Sequence, residues 1–170
     1  QFRFSGSILQ SDGFRYNKFR ESSDSNKKDE QFIRVKLNYK PLKNFKVLST
    51  LIYAELDNGY DSWAPDNNTD FHTYSDDTGE DSQKTLGGSV RINLNSNNKY
   101  KFTSISAYTK TNLTHSYDGD WANDQYWYSN HGFDSQVEGW SYEFFDRNDK
   151  ERKSTSQDFR LSFHDLILGV

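Results

Sequence analysis

Hydrophobic and polar residues alternate with period two along several stretches of the chain. Residues 1–10 set Phe2, Phe4, Gly6 and Ile8 against Arg3, Ser5 and Ser7. Residues 31–40 set Ile33, Val35, Leu37 and Tyr39 against Arg34, Lys36, Asn38 and Lys40. In residues 85–95, Leu86, Val90, Ile92 and Leu94 share one side, and Thr85, Ser89, Arg91 and Asn93 the other. Residues 154–163 end with Phe159, Leu161 and Phe163 opposite Asp158, Arg160 and Ser162. Successive side chains of a strand point to opposite faces, so this pattern predicts strands with one apolar face. Residues 45–56 and 100–117 are rich in Val, Ile, Leu, Thr and Tyr and are predicted strands as well, but their alternation is too weak to assign faces. Residues 166–170 open a further strand.

The connections differ in length in a regular way. Tight turns are predicted at 41–44, at 95–98 and near His164 and Asp165. Long polar connections are predicted at 11–30, 57–82 and 118–153. Short and long alternate, so an up-and-down meander would gather all tight turns at one end and all long loops at the other. Transmembrane barrels have that asymmetry, whereas structureless loops of this length are rare in compact soluble domains. Aromatic residues flank each tight turn: Tyr39 and Phe45, Tyr100 and Phe102, Phe159 and Phe163, with Phe2 and Phe4 expected at the same level. Such a girdle is expected where amphipathic rings meet a membrane–water boundary. The predicted fold is all-β: an antiparallel up-and-down meander of about six strands, part of a large transmembrane β-barrel, with 1–170 as a partial barrel domain.

Composition sharpens this picture. Only 32% of residues are hydrophobic and mean hydropathy is -1.03, yet 16% are aromatic. The first value is low for a soluble domain and the last is high for a disordered chain. The combination predicts little dry core and much amphipathic surface. The chain has no Cys, so no disulfide framework and no Cys-based metal site is expected. It has no Met and opens at Gln1 within a predicted strand, which reads as a piece of a longer protein. No signal peptide and no apolar run of helical membrane length is present. The net charge of -4 argues against nucleic acid as a partner. An open sheet of this kind would carry bare edges and a bare apolar face, and is expected to be unstable alone in water.

Five phrases carry a family resemblance: SDGFRYNKF at 11–19, LIYAELDNGYDSW at 51–63, DSQKT at 81–85, SYDGDWAN at 116–123 and SQDFRLSF at 156–163. They resemble strand-to-loop transitions in the barrel of TonB-dependent receptors of Gram-negative bacteria. The resemblance covers nearly the whole chain and rests on barrel-wall phrases, with no catalytic signature among them. It implies a barrel of about 22 strands with a plugged lumen, set in outer-membrane lipid. It implies active import driven by the TonB energy-coupling protein, through a plug domain and an N-terminal box that lie outside this sequence. Ferric siderophores are the commonest cargo of such receptors; haem, cobalamin and oligosaccharides are others.

No enzyme and no cofactor are expected. His72, His115, His131 and His164 are scattered without metal-ligand spacing, and no nucleophile elbow, P-loop or paired-carboxylate motif is present. Binding is expected in the long loops. The first alternates Phe14, Tyr16 and Phe19 with Arg15, Lys18 and Arg20, a pattern able to grip an anionic, partly aromatic ligand such as a catecholate or carboxylate siderophore. A loop folded over its neighbours would give the same pattern. The second holds Trp63 and many Asp but no Lys or Arg, which suits a solvated acidic loop or a divalent cation. The third carries Trp121, Tyr126, Trp127, Tyr128, Phe133, Trp140, Tyr142, Phe144 and Phe145, which suit a stacking surface for sugars or flat ligands, a mini-core or the upper aromatic belt. The candidate ligand-binding residues are therefore Arg15, Tyr16, Phe19, Arg20, Trp63, Trp121, Trp127, Tyr128 and Trp140, with no metal ligand assigned. Two rivals stand beside the receptor: a passive porin-like barrel, and a soluble carbohydrate-binding β-sandwich. The sandwich would seal Leu86, Val90 and Ile92 inside. Either barrel would turn them to lipid and Arg91 to the lumen.

Overall fold

A computed structural model of the chain describes residues 1–96, 99–163 and 166–170. The strands are β1 (Phe2–Ser11), β2 (Tyr16–Asn17), β3 (Lys28–Leu42), β4 (Phe45–Tyr60), β5 (His72–Thr73), β6 (Gly79–Ser96), β7 (Tyr100–Asp118), β8 (Phe145–Phe163) and β9 (Leu166–Gly169). Two short helices, α1 (Asp124–His131) and α2 (Ser135–Glu138), lie between β7 and β8. Seven strands form one antiparallel sheet in the order β1-β3-β4-β6-β7-β8-β9, and β2 pairs with β5 in a small parallel sheet. The fold is all-β, and the large sheet is an open meander rather than a closed barrel.

The connections sort to opposite ends. β3 turns directly into β4, Ser96 pairs with Tyr100, and Phe163 pairs with Leu166, all at one end. Residues 97–98 and 164–165, where two predicted turns fall, lie outside the described residues. The long connections, 12–27, 61–78 and 119–144, share the other end. They are shorter than predicted because the strands are longer: β6 has 18 residues, and β7 and β8 have 19 each. Their upper halves lack hydrophobic alternation, which hid them in the sequence, yet the backbone ladder continues through them. The long connections are also less irregular than predicted, since they hold β2, β5, α1 and α2.

Register settles the two unassigned strands. Leu51 of β4 sits between Val35 of β3 and Gly88 of β6, and Gly88 faces Tyr108 of β7. Val47 lies between Tyr39 and Ile92, and Phe45 opposite Leu94, which faces Phe102. Phe45, Val47, Leu51 and Tyr53 therefore share the apolar face with Leu86, Val90 and Ile92. The alternation in β4 and β7 was weak because Leu48, Ile52 and Ile105 lie on the opposite face, in rows with Arg91 and Arg34. Near the short turns the aromatic side chains stack across strands: Tyr100 on Phe163 at 5.3 Å between centroids, and Phe102 on Phe159 at 6.2 Å. Phe2 pairs with Leu37 and Phe4 with Val35, further from the β3–β4 turn than Tyr39.

The sheet is a single layer. Among the described residues Ala122 is the one buried hydrophobic side chain. Leu86 is 62% exposed, Leu51 61% and Val90 41%, so nothing among the described residues seals this face. Towards the long connections the same face changes character. Ion pairs replace the apolar side chains: Lys84 with Glu55 at 3.2 Å, Glu151 with Lys110 at 2.8 Å and with Lys153 at 2.6 Å, and Arg147 with Asp149 at 3.0 Å.

Gly79 sits where three strands crowd together at the loop end. A Cβ there would collide with the carbonyl oxygen of Tyr60 and approach that of Ser116. Overpacking of this kind typically costs about 1–3 kcal/mol. Gly79→Ala is expected to open the upper β4–β6 ladder, read as faster amide exchange across 58–60 and 79–81 with protection near Val90 unchanged.

Candidate functional site

The three long connections converge into one crown, and polar side chains hold it. The link between the first two is the parallel β2–β5 bridge, in which Tyr16 N donates to Phe71 O at 3.1 Å and Lys18 N to Thr73 O at 2.9 Å. Asn17, the second residue of β2, is fully buried. Its Nδ2 donates to Asp61 Oδ2 at 3.0 Å and to Ser75 O at 2.8 Å. Its Oδ1 accepts from the backbone N–H groups of Phe19 at 3.0 Å and Arg20 at 2.9 Å. Thr73 Oγ1 also donates to Asp61 Oδ2, at 2.6 Å. A buried polar group of this kind is stabilising only while paired; stripping its partners costs about 1–3 kcal/mol.

The third connection is pinned through Asn123. Its Oδ1 caps α1 by accepting from Tyr126 N at 2.9 Å, and its Nδ2 donates to Tyr74 O at 2.6 Å. Asp76 N donates to Ala122 O at 3.1 Å, which completes the join. Gly132, with φ of 67°, ends α1 in the left-handed conformation that favours glycine.

The expected binding residues spread around this crown. Arg15 lies over the Phe14 ring, 5.4 Å from its centroid, and Arg20 is bonded to Thr78. Tyr16 meets His72 edge to face at 6.1 Å. Phe19 lines a cleft of about 330 Å³ with Lys18, Tyr74, Gln125 and Tyr126. Trp63 and Trp121 come together from different connections, 5.9 Å between centroids, and both are exposed. Trp127 donates its indole N–H to Asp120 Oδ2 at 2.8 Å and packs on Tyr142 at 4.9 Å. Trp140 joins the same group through Phe133 and Tyr142, while Tyr128 lies exposed. The structure thus joins Trp63 with Trp121, and Trp127 with Trp140 through Tyr142. It does not bring Arg15 and Arg20 onto one ligand-sized spot with Phe19. Among the described residues no three His, Cys, Asp or Glu side chains assemble as a metal site.

Sequence reading missed Asn17, Asp61 and Asn123, the residues that build the crown. An available signal was Asn123, a helix-capping type with Gly132 after the last helical residue. Nothing local marks Asn17, since its partners lie 44 and 58 positions away.

Asp118 ends β7, ten residues past Tyr108, the last aromatic of the apolar face. Its Oδ1 accepts from Asp120 N at 3.1 Å and Trp121 N at 3.0 Å, so it holds Trp121 in a left-handed backbone conformation, φ 62°. Bulky residues rarely adopt that conformation. Among the described residues Oδ2 is buried without a hydrogen-bond partner. Burial, with the Asp120 carboxylate beside it, pushes the Asp118 carboxyl up to about 8. Burial raises Asp76 in the same direction, with Asp120 adding to it.

Comparison with protein-family models, with known proteins and with solved structures finds no match to this chain. Among the described residues no helix is long and apolar enough to cross a membrane, which says nothing of a crossing made by strands.

The raised Asp118 value has a signed consequence. Between the ordinary carboxylate value and about 8, the folded crown holds a proton that the unfolded chain releases. Stability then falls as pH rises through that window. Trp121 is expected to loosen as pH climbs from 6 to 9, read as a change in tryptophan emission, and Asp118→Asn is expected to flatten that response.

Proposed function

We propose that this chain is part of the wall of an outer-membrane β-barrel, a receptor of the TonB-dependent kind that imports a scarce nutrient caught at its crown. One observation carries the reading. A single sheet bears an uncovered apolar band at its short-turn end, and on the same face the band gives way to ion pairs towards the long connections. A two-layer soluble protein would cover such a band with a second sheet; a barrel wall leaves it to lipid and lifts its charged part into water. From Leu86 to Leu94 the band runs roughly 27 Å along the strand at about 3.4 Å per residue. A tilt of about 40° reduces this to roughly 21 Å of height, close to the ~25 Å apolar belt of such barrels. The opposite face, with Arg34, Lys36, Arg91 and Arg160, would line the lumen. Further strands would pair with the open edges, since a free edge in lipid leaves backbone groups unsatisfied.

Cargo follows from the family resemblance and the crown. Ferric siderophores come first by resemblance. The three connections 12–27, 61–78 and 119–144 together hold thirteen carboxylates against four Lys and Arg, all four in the first. That charge repels polyanions, so an uncharged ferric hydroxamate suits the crown better than a tris-catecholate complex.

Two outcomes are expected. The full-length protein, expressed under iron limitation in a Gram-negative host, should take up a ferric hydroxamate only when TonB is present; uptake that ignores TonB would leave a passive barrel instead. Val90→Arg, on the lipid side, should reduce folded protein in the outer membrane, with a cost of about 2–4 kcal/mol. Ser89→Arg, one residue along and facing the lumen, should fold as before.

A further inference from the structure

At the short-turn end, on the face opposite the apolar band, the chain gathers positive charge. Lys40 and Lys43 come from the β3–β4 hairpin, Lys46 from β4, Arg91 from β6 and Lys101 from β7. They line one cleft of about 360 Å³ that has no carboxylate in its wall among the described residues. Register explains the gathering: Lys46 pairs with Asn93, Leu48 with Arg91, and Asn95 with Lys101, so their side chains share one face.

What sets these five apart is their gathering in one cleft, since only six Lys and Arg make ion pairs among the described residues of the chain. It carries 25 Asp and Glu against 21 Lys and Arg. On the other face Lys84, Lys110, Lys153 and Arg147 all have carboxylate partners. On this face Arg160 is held by Asp158 at 2.6 Å, whereas Arg34, Lys36, Lys150 and Arg152 make no ion pair among the described residues. None of the five cleft cations makes an ion pair among the described residues. The polar groups around them strengthen the case. Asn93 Oδ1 accepts from Arg91 Nε at 3.3 Å and from Thr103 Oγ1 at 3.1 Å, which positions the guanidinium and leaves its terminal N–H groups open to the cleft. The Asn93 carboxamide then has only its donor end to offer. The cleft is rich in donors and poor in acceptors.

We propose that this cleft is an anion site that takes a phosphate-bearing, multiply charged group. Arginine binds such oxygens in a planar fork, and lysines add point charges around it. A single monovalent anion would leave most of the positive charge uncompensated. The shared chemistry is the phosphate group, and its source is either a free phosphate compound or the headgroup of an anionic phospholipid at the hairpin tip.

The test uses the full-length protein in neutral detergent, then in lipid nanodiscs. The readout is protection of Lys43, Lys46 and Lys101 from amine acylation, followed by mass spectrometry. Inorganic pyrophosphate is the soluble probe; phosphatidylglycerol discs against phosphatidylcholine discs are the lipid arm. Protection by either probe is expected, falling steeply with added salt and at least tenfold weaker in Arg91→Gln. Protection by pyrophosphate in detergent names a free phosphate compound; protection confined to phosphatidylglycerol discs names the headgroup. Arg160→Gln, on the same face but outside the cleft, should bind as the unmodified protein does and so guards against a general loss of fold. The proposal is overturned if neither probe protects, or if Arg91→Gln protects as well as the parent. It is also overturned if the lysines resist acylation before any anion is added, since the rest of the protein would then already fill the cleft. None of these outcomes depends on TonB or on uptake.

Discussion

The backbone hydrogen-bond ladder is what this protein depends on, because the described residues bury almost no hydrophobic side chain. One buried hydrophobic side chain cannot hold a sheet of seven strands. Each ladder bond contributes only about 0.5–1.5 kcal/mol net in water, but leaving its donor or acceptor unpaired in an apolar medium costs far more. A sheet held this way gains stability from being placed in such a medium, provided that its edges find partners. Under the receptor reading, lipid acts on the apolar band as a second layer acts on a soluble sandwich.

The crown solves the opposite problem. It stands among water-seeking segments and cannot rely on apolar contact. It uses buried amides and hydroxyls around Asp61 and a capping asparagine that serves two elements at once. Such networks fix geometry narrowly, since every member has few alternative partners. That rigidity suits surfaces like the exposed Trp63–Trp121 pair, whose rings come from different connections and keep their spacing only while the network holds.

The lower half of the sheet was legible because its chemistry is periodic. Leu86, Val90, Ile92 and Leu94 alternate with Ser89, Arg91 and Asn93, and the structure places them on opposite faces. The upper half was hidden for a physical reason. Both faces there are polar, so a stretch such as Asp146 to Lys153 reads as loop, although it pairs residue by residue with β7. β4 was ambiguous because Leu48 and Ile52 sit on the polar face. The crown was least legible. Asn17 and Asp61 are separated by 44 residues, and no local spacing announces a bond made across two connections. The aromatic residues stood out in the sequence, but the amides that organise them did not.

The strands of this sheet pass without a break from an apolar stretch to a charged one, and the fastening between neighbours changes along the way. Near the hairpins it is van der Waals contact between rings and aliphatic groups, which dissolved ions leave untouched. Higher up it includes exposed bridges such as Glu151 with two lysines, which added salt weakens as the Debye length shrinks from about 8 Å at physiological ionic strength to about 3 Å at 1 M. Seawater, cytosol-like buffer and distilled water would therefore grip the same wall differently, stiffening or slackening its top while its foot stays as it was.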